Sequence, residues 1–353
     1  MAKPTTLYVF HKSGNNNHYI GLEKLMEQNN GKVVYREFSV VGKFFRSLFK
    51  LQFGLVSKQF VNAGFMLSLM LSKNKKVVLG IAPYDYKLTK LCSLLKNHQV
   101  YYHTSWTVWD GTYYPKKKRV TPKLIERWKQ FIEKDIKHIF AVSGETKKQL
   151  IANYAIPEEK VSNVYHSLDS TVFYSHQAKP VGENLKFFYA GRLVKQKGLE
   201  ELLAYFSAHP DKVFTIAGEG ELKGTVEDYA KQYSNINFAG YIKDRNRLAD
   251  YYREHQYVVL NSYKTEKWEE LFGMVLIEAM GCGAIPIATN HTGPEEIITD
   301  GWDGYLVAEG EMTVLLNTLT PENYSSEMRQ QAINRARQFY VNKIAERWKA
   351  VLL

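Results

Sequence analysis

Apolar residues along this chain gather in unbroken runs rather than alternating with polar ones. Such runs occupy Thr5–His11, Val77–Ile81, Val100–Tyr102 and Ile139–Ser143 in the first half. Phe187–Ala190, the run opening Val213–Gly224, Asn237–Ile242 and Ala284–Ala288 supply those of the second. Short runs of this kind predict strands buried on both faces, as in a parallel sheet. Helical spacing over Ile20–Gln28, Glu145–Tyr154, Val275–Met280 and Ser326–Leu353 supplies the connecting layer, so the expected class is α/β with doubly wound sheets. A stretch with Pro180 and Gly182, from Ser175 to Asn184, reads as a linker and divides the chain into domains at 1–175 and 176–335.

One segment admits two readings. On a helical projection of Lys43–Lys58, Lys43, Arg46, Ser47, Lys50, Gly54, Ser57 and Lys58 share one side, opposite Phe44, Phe45, Leu48, Phe49, Leu51, Leu55 and Val56. It is either a domain helix with its aromatic side in the core or an interfacial helix on anionic lipid. Charge sharpens the question. Residues 1–175 hold 27 Lys/Arg against 12 Asp/Glu, whereas 176–353 hold 20 against 24, so all of the excess positive charge lies in the first half. Nucleic acid and a membrane surface are the anionic partners to weigh. The basic run Lys116–Arg119 superficially matches a nuclear-localisation signal, but runs this short more often mark a solvated or anion-facing loop.

Other classes are excluded by what is absent. The N-terminal apolar run is too short for a signal peptide, and Lys58, Gln59 and Asn62 interrupt the longest candidate span, Phe53–Leu71, before it reaches the ~18 apolar residues a membrane crossing needs. Cys92 and Cys282 are distant and have no metal-type spacing, which fits a reduced, cytoplasmic protein without structural disulfides.

Candidate chemistry concentrates between Asn261 and Val307. Glu270 and Glu278 stand eight residues apart, with Phe272-Gly273-Met274 opening a helix between them. The unpaired N–H groups of that helix start would face whatever lies before Glu270 and suit a phosphate, while Glu278, further along, could accept hydrogen bonds from vicinal hydroxyls. Upstream, the strand Phe187–Ala190 feeds Gly191-Arg192, with Lys197 five residues after the arginine and Gly198 closing the turn. Two cations at a helix N-terminus make a diphosphate clamp. Gly218, Gly220 and Gly224 evoke a dinucleotide fingerprint, but the third glycine comes one residue late, and a nicotinamide enzyme is a weak reading. After the first strand, the loop Lys12–Tyr19 with Gly14 is either an ordinary connection or a ligand loop.

Taken in order, Glu270, Phe272-Gly273, Glu278-Ala279-Met280, Gly281-Cys282-Gly283, Pro286 and Thr292-Gly293-Pro294-Glu295-Glu296 resemble the retaining glycosyltransferases of family 4. The resemblance covers nearly the whole chain and implies the GT-B architecture, two Rossmann-like domains facing across a cleft, with a C-terminal helix, 336–353, that packs back on the first domain. It implies donor-diphosphate binding by Arg192 and Lys197, contact of Glu270 with the transferred sugar, and His103, at the end of a strand, beside that sugar. It further implies donor contacts at Gly14, Gly191, Gly218, Tyr241, Phe272, Gly273, Met274 and Glu278. Val164–Asp169 departs from the family's Pro-Asn-Gly-Val-Asp turn and keeps only its aspartate.

The activity implied is transfer of a sugar, with retention, from a nucleotide-diphosphate sugar to a saccharide acceptor. A lipid-linked acceptor of envelope polysaccharide or glycoconjugate synthesis, peripheral attachment to the inner face of the plasma membrane, no cofactor and no metal are expected. The chain contains no Asp-x-Asp triplet, in keeping with the metal-free route. The rivals are a nucleotide-sugar-binding subunit with a decayed site, a GT-B epimerase or phosphorylase, and a nucleic-acid-binding protein. The first is disfavoured by the intact clamp and glutamate pair, and the last by the lack of any recognition motif.

Overall fold

The structure is a computed structural model and describes residues 5–12, 16–40, 43–44, 49, 52–115, 119–176, 182–266 and 268–353. It forms two compact units, residues 1–167 with 341–353 and residues 168–340.

The first unit is a six-stranded parallel sheet of β1 (Thr6–His11), β2 (Lys32–Glu37), β3 (Lys76–Gly80), β4 (Gln99–Thr104), β5 (His138–Ala141) and β6 (Val161–Asn163), in the order β2-β1-β3-β4-β5-β6. Strand side chains divide between two cores with period two. Phe10, Val77, Leu79, Val100, Tyr102 and Ile139 enter one. Leu7, Val9, Val78, Tyr101 and Phe140 enter the other. Both faces are therefore covered, which is why these strands read as unbroken apolar runs. The second core is closed by the helix Ile20–Gln28 and by Ile344, Ala345 and Trp348 of the C-terminal segment.

The second unit contains β7 (Leu185–Arg192), β8 (Lys212–Glu219), β9 (Ile236–Gly240), β10 (Tyr257–Leu260), β11 (Ile285–Thr289) and β12 (Tyr305–Val307), ordered β12-β11-β10-β7-β8-β9 and parallel throughout. The strand order reverses between β7 and β10 here and between β1 and β3 in the first unit. In sheets of this kind ligands bind at such a switch point, outside the carboxyl ends of the strands.

Three expectations are corrected. The final segment is not one helix: Ser326–Ala336 gives way to a 3-10 turn and then to Val341–Arg347. Tyr340 is extended, and the Leu168 N–H donates to the Phe339 carbonyl at 2.7 Å, so tertiary pairing interrupts a pattern that would otherwise continue. Residues 168–175, placed before the linker by composition, fold with the second unit, where Arg253 donates to the Val172 and Tyr174 carbonyls. Nor is Lys43–Lys58 a single amphipathic helix. Gln52 has φ −92° and ψ 73° and caps a helix that runs from Phe53 to Leu71, its carbonyl accepting from the Leu55 and Val56 N–H groups. Of the earlier segment, residues 41–42, 45–48 and 50–51 lie outside the described residues, as do Lys116, Lys117 and Lys118 of the basic run.

Candidate active site

At the switch point of the second unit, the turns after β7 and β10 are stitched together. After β7 the chain makes a short 3-10 turn, Lys195–Lys197, and Gly198 at φ 58° opens the helix Leu199–Ala208. The Tyr263 N–H donates to the Gln196 carbonyl at 2.8 Å, and Asn261, fully buried, donates from Nδ2 to the Gly198 carbonyl at 3.3 Å and to Glu201 at 2.8 Å. Tyr263 adds a hydroxyl bond to the same Glu201. This stitching brings Lys197 and Glu270 into an ion pair. Lys197 Nζ lies 3.4 Å from Ser262 Oγ and 4.8 Å from the centroid of the Trp268 ring. Only 8% of Lys197 is exposed, so its charge acts at short range and little screened.

Glu270 is held by its main chain. Its N–H donates to His291 Nδ1 at 3.2 Å and its carbonyl accepts from the Gly293 N–H at 3.0 Å. Because Nδ1 accepts, the His291 proton sits on Nε2, which bonds the Ser262 carbonyl at 2.9 Å and lies 3.0 Å from Glu309 Oε1. His291 thus ties the loops after β10 and β11 together beneath the glutamate. Neither His291 nor Trp268 nor Asn261 was singled out from sequence, since their roles depend on loops that meet only in the fold. Replacing His291 by alanine removes the acceptor of the Glu270 N–H, and turnover is expected to fall more than donor affinity. Steady-state kinetics beside donor titration check this, and an equal fall in both would contradict a positioning role.

The helix Met274–Gly281 begins where expected. Gly273 takes φ 84°, and no side chain caps the helix start. A Cβ on Gly273 would be strained in that left-handed region and would stand 2.9 Å from Leu276 Cδ1. The first-turn N–H groups give the end partial positive charge. Met274 is 37% exposed at this end, whereas Phe272 is buried and packs on Phe339 at 6.0 Å, so its ring is core rather than ligand surface.

Alongside lies a cavity of about 310 Å³ lined by Ala190, Gly191, Arg192, Ala217, Gly218, Glu219, Tyr241, Ile242, Leu248, Tyr252 and Val275. The fold therefore gathers Gly191, Arg192, Gly218 and Tyr241 at one place. Gly218 is required by close approach, because a Cβ there would fall 1.9 Å from the Gly191 carbonyl oxygen. Glu278 is not among the lining residues but accepts a 3.1 Å hydrogen bond from Tyr252, which is. Burial raises the Glu278 carboxyl from 4.5 to about 7, against the smaller lowering effects of the Tyr252 bond and Arg245. A raised folded pKa means that the fold binds this proton more tightly than the unfolded chain does. The resulting stability is complete below the unfolded value and is lost as pH rises through the folded one. Between about pH 4.5 and pH 7 the parent should therefore lose more stability than Glu278→Gln, measured by urea unfolding. Parallel curves would contradict this environment.

The remaining candidates belong to the first unit. His103 is the last residue but one of β4, is 8% exposed, and shares a 3.2 Å hydrogen bond with the Tyr19 hydroxyl through Nδ1. Its ring packs against Tyr19 and Trp348. Burial, then the nearby His18, His166 and His11, hold its pKa well below 6.5, so the imidazole is neutral. Gly14 lies outside the described residues. Among the described residues no cluster of three or more His, Cys, Asp or Glu could hold a metal ion, and no helix is long and apolar enough to cross a membrane.

Residues 173–339 match the family described as Glycosyl transferases group 1. The phosphatidylinositol N-acetylglucosaminyltransferase gpi3 subunit of Schizosaccharomyces pombe is 26% identical over 187 residues, covering 51% of this chain and 39% of that protein. The capsular polysaccharide biosynthesis glycosyltransferase CapM of Staphylococcus aureus is 25% identical over 209 residues, covering 54% of this chain and 53% of that protein. The matched stretches thus span about half or less of these relatives' own length. The crystal structure of Anabaena HepE in complex with UDP is similar with a TM-score of 0.68 at 15% identity, over 99% of both chains. Sucrose-phosphate synthase from Thermosynechococcus elongatus gives 0.69 at 18% identity, over 97% of this chain and 96% of that one. At these identities the likeness shows the fold, which is GT-B.

Proposed function

We propose that this chain, whose residues 173–339 match the group 1 glycosyl transferases, moves a sugar from a nucleotide-diphosphate donor to a saccharide acceptor. The observation that carries the reading is the Lys197–Glu270 pair, set at the switch point of the second sheet with Arg192 on the wall of the adjacent cavity. In this reading the nucleoside occupies that cavity, with Tyr241 as its exposed aromatic wall. The diphosphate then meets Arg192, Lys197 and the uncapped start of the helix Met274–Gly281. As the glycosidic bond to the diphosphate breaks, negative charge grows on the leaving oxygen, and fixed cations and N–H dipoles aimed there lower the barrier without reorganising. Glu270, neutralised on one side by Lys197, is placed to orient the sugar, and retention at the anomeric carbon is the stereochemical outcome proposed.

The name of one relative, a phosphatidylinositol N-acetylglucosaminyltransferase subunit, supports an acceptor held in a lipid, and that of another, for capsular polysaccharide biosynthesis, supports a saccharide. In this reading the acceptor is a lipid-linked saccharide and the enzyme works peripherally on the cytoplasmic side. The donor charge is met by protein groups, so transfer should persist in EDTA, and loss of activity restored by Mg²⁺ would contradict that proposal. The test of the function is a thermal-shift panel of UDP-, GDP- and dTDP-sugars followed by incubation of the stabilising donor with lipid extracts. One donor should stabilise the protein and pass its sugar to a lipid-extractable product. Stabilisation without any product would favour a nucleotide-sugar-binding subunit instead.

A further inference from the structure

The helix Phe53–Leu71 is built inside out. Its inward side carries Gln59 and Asn62, only 3% and 2% exposed, beside the apolar anchors Phe65 and Leu69. Asn62 Oδ1 accepts the Glu37 N–H at 3.1 Å, and Lys58 and Lys43 close on the Glu37 carboxylate at 2.8 and 2.6 Å. Its outward side carries Phe60, Val61, Leu67, Met70 and Leu71, between 54% and 78% exposed. At 100° per residue Phe60, Gly64, Leu67 and Leu71 fall on one strip, and a Cβ on Gly64 would meet nothing within 4 Å. A helix on a soluble surface shows the opposite arrangement, with its apolar stripe on the core and its polar residues in water. A contiguous exposed apolar strip marks a surface that something covers.

Charge identifies the occupant. Lys58 is the only charged residue of this helix, and from Phe38 to Trp109 the sequence has ten Lys/Arg and a single acidic residue, Asp85. Asp85 is 1% exposed and is not part of the surface. Lys73 follows the strip at its C-terminal end and is exposed, whereas Lys58 is turned to Glu37 on the other side. A second copy of this chain would bring like charges together along the strip and be repelled. An anionic bilayer meets both features at once, its acyl boundary taking the apolar side chains and its phosphates taking Lys73.

We propose that the outer face of Phe53–Leu71 docks on an anionic lipid bilayer, with Phe60, Leu67, Met70 and Leu71 entering the headgroup boundary and Lys73 on lipid phosphate. This rests on the peripheral membrane reading above and names the surface for it; vesicle binding without nucleotide fails or holds independently of the transfer reaction, which the donor panel tests.

The test is co-sedimentation of the full chain with phosphatidylglycerol-containing vesicles and with pure phosphatidylcholine vesicles, in the absence of nucleotide. The parent should bind the anionic vesicles, less so at high salt. The variant Phe60→Ser/Leu67→Ser/Leu71→Ser should lose binding by roughly a hundredfold, because three large apolar side chains no longer leave water. These side chains are outside the core, and an unchanged melting temperature verifies that the variant is folded. As a second readout, an environment-sensitive fluorophore on Leu67→Cys should shift to the blue when anionic vesicles are added. Equal vesicle binding by parent and variant, or no fluorophore shift, would overturn the proposal. So would a parent dimer in sedimentation velocity that dissociates in the triple variant while neither binds vesicles, since a second copy would then be the occupant.

Discussion

Alanine at Arg192 or at Lys197 is expected to lower turnover by roughly a hundredfold or more while the chain stays folded, the scale for losing one charge-stabilising donor at a reacting centre. The two sites should differ in kind. Arg192 is exposed at the end of β7 and lines the cavity, so its loss removes a cation that donor phosphate would meet. Lys197 is buried against Glu270, and its loss also leaves that carboxylate without its cation in a poorly solvated site. A double-mutant cycle separates the effects: Lys197→Ala and Glu270→Gln should be strongly non-additive, whereas Arg192→Ala and Glu270→Gln should be closer to additive. Near-normal turnover in both single variants would remove the clamp from the mechanism.

The second large effect is on stability. Trp348 is 1% exposed in the first unit, with ring centroids 4.4 Å from Phe140, 5.4 Å from His103 and 6.0 Å from Tyr19. Trp348→Ala leaves a cavity that rigid strands cannot close and should cost about 3–5 kcal/mol. For a unit of this size that lowers the melting temperature by about 6–20 °C. The same substitution loosens the packing of the His103 ring, so a partly rescued variant such as Trp348→Phe should recover stability and activity together. An unchanged melting temperature would mean that the last residues are not part of the first unit's core.

The strands and their order of appearance were legible because a parallel sheet covered on both faces leaves an unbroken apolar signature, as at Val77–Ile81 and Ala284–Ala288. The helix Ile20–Gln28 and the glycine start at Gly273 were legible for equally local reasons, amphipathic spacing and a backbone conformation that favours glycine. The strands β2, β6, β10 and β12 were not marked. Lys32–Glu37 is less apolar and lies at the sheet edge, and Val161–Asn163 and Tyr305–Val307 are three residues long. Lys43–Lys58 was read as one helix, its apolar side either in the core or on lipid, whereas a helix starts ten residues later, at Phe53, and turns Gln59 and Asn62 inward, Asn62 to meet the Glu37 N–H.

The break after Ala336 is invisible locally, because it is imposed by Leu168, far away in sequence. At the site, residue types at characteristic spacing exposed Arg192, Lys197, Glu270 and Glu278. The supports of those residues were hidden. His291 beneath Glu270, Asn261 tying the turn after β7, and Trp268 over Lys197 acquire meaning only when the loops after β7, β10 and β11 converge. The burial that lifts the Glu278 carboxyl to about 7 is likewise a product of packing rather than of any sequence pattern.

The central claim concerns a place, the ground between Arg192, Lys197 and the start of the helix Met274–Gly281. A crystal structure of the chain with the nucleoside diphosphate that stabilises it most tests this directly. The account places the diphosphate oxygens within hydrogen-bond distance of Arg192, Lys197 and the first-turn N–H groups of that helix, with the base in the cavity beside Gly218 and Tyr241. A nucleotide bound elsewhere, or a diphosphate that leaves the Lys197–Glu270 pair untouched, would contradict it.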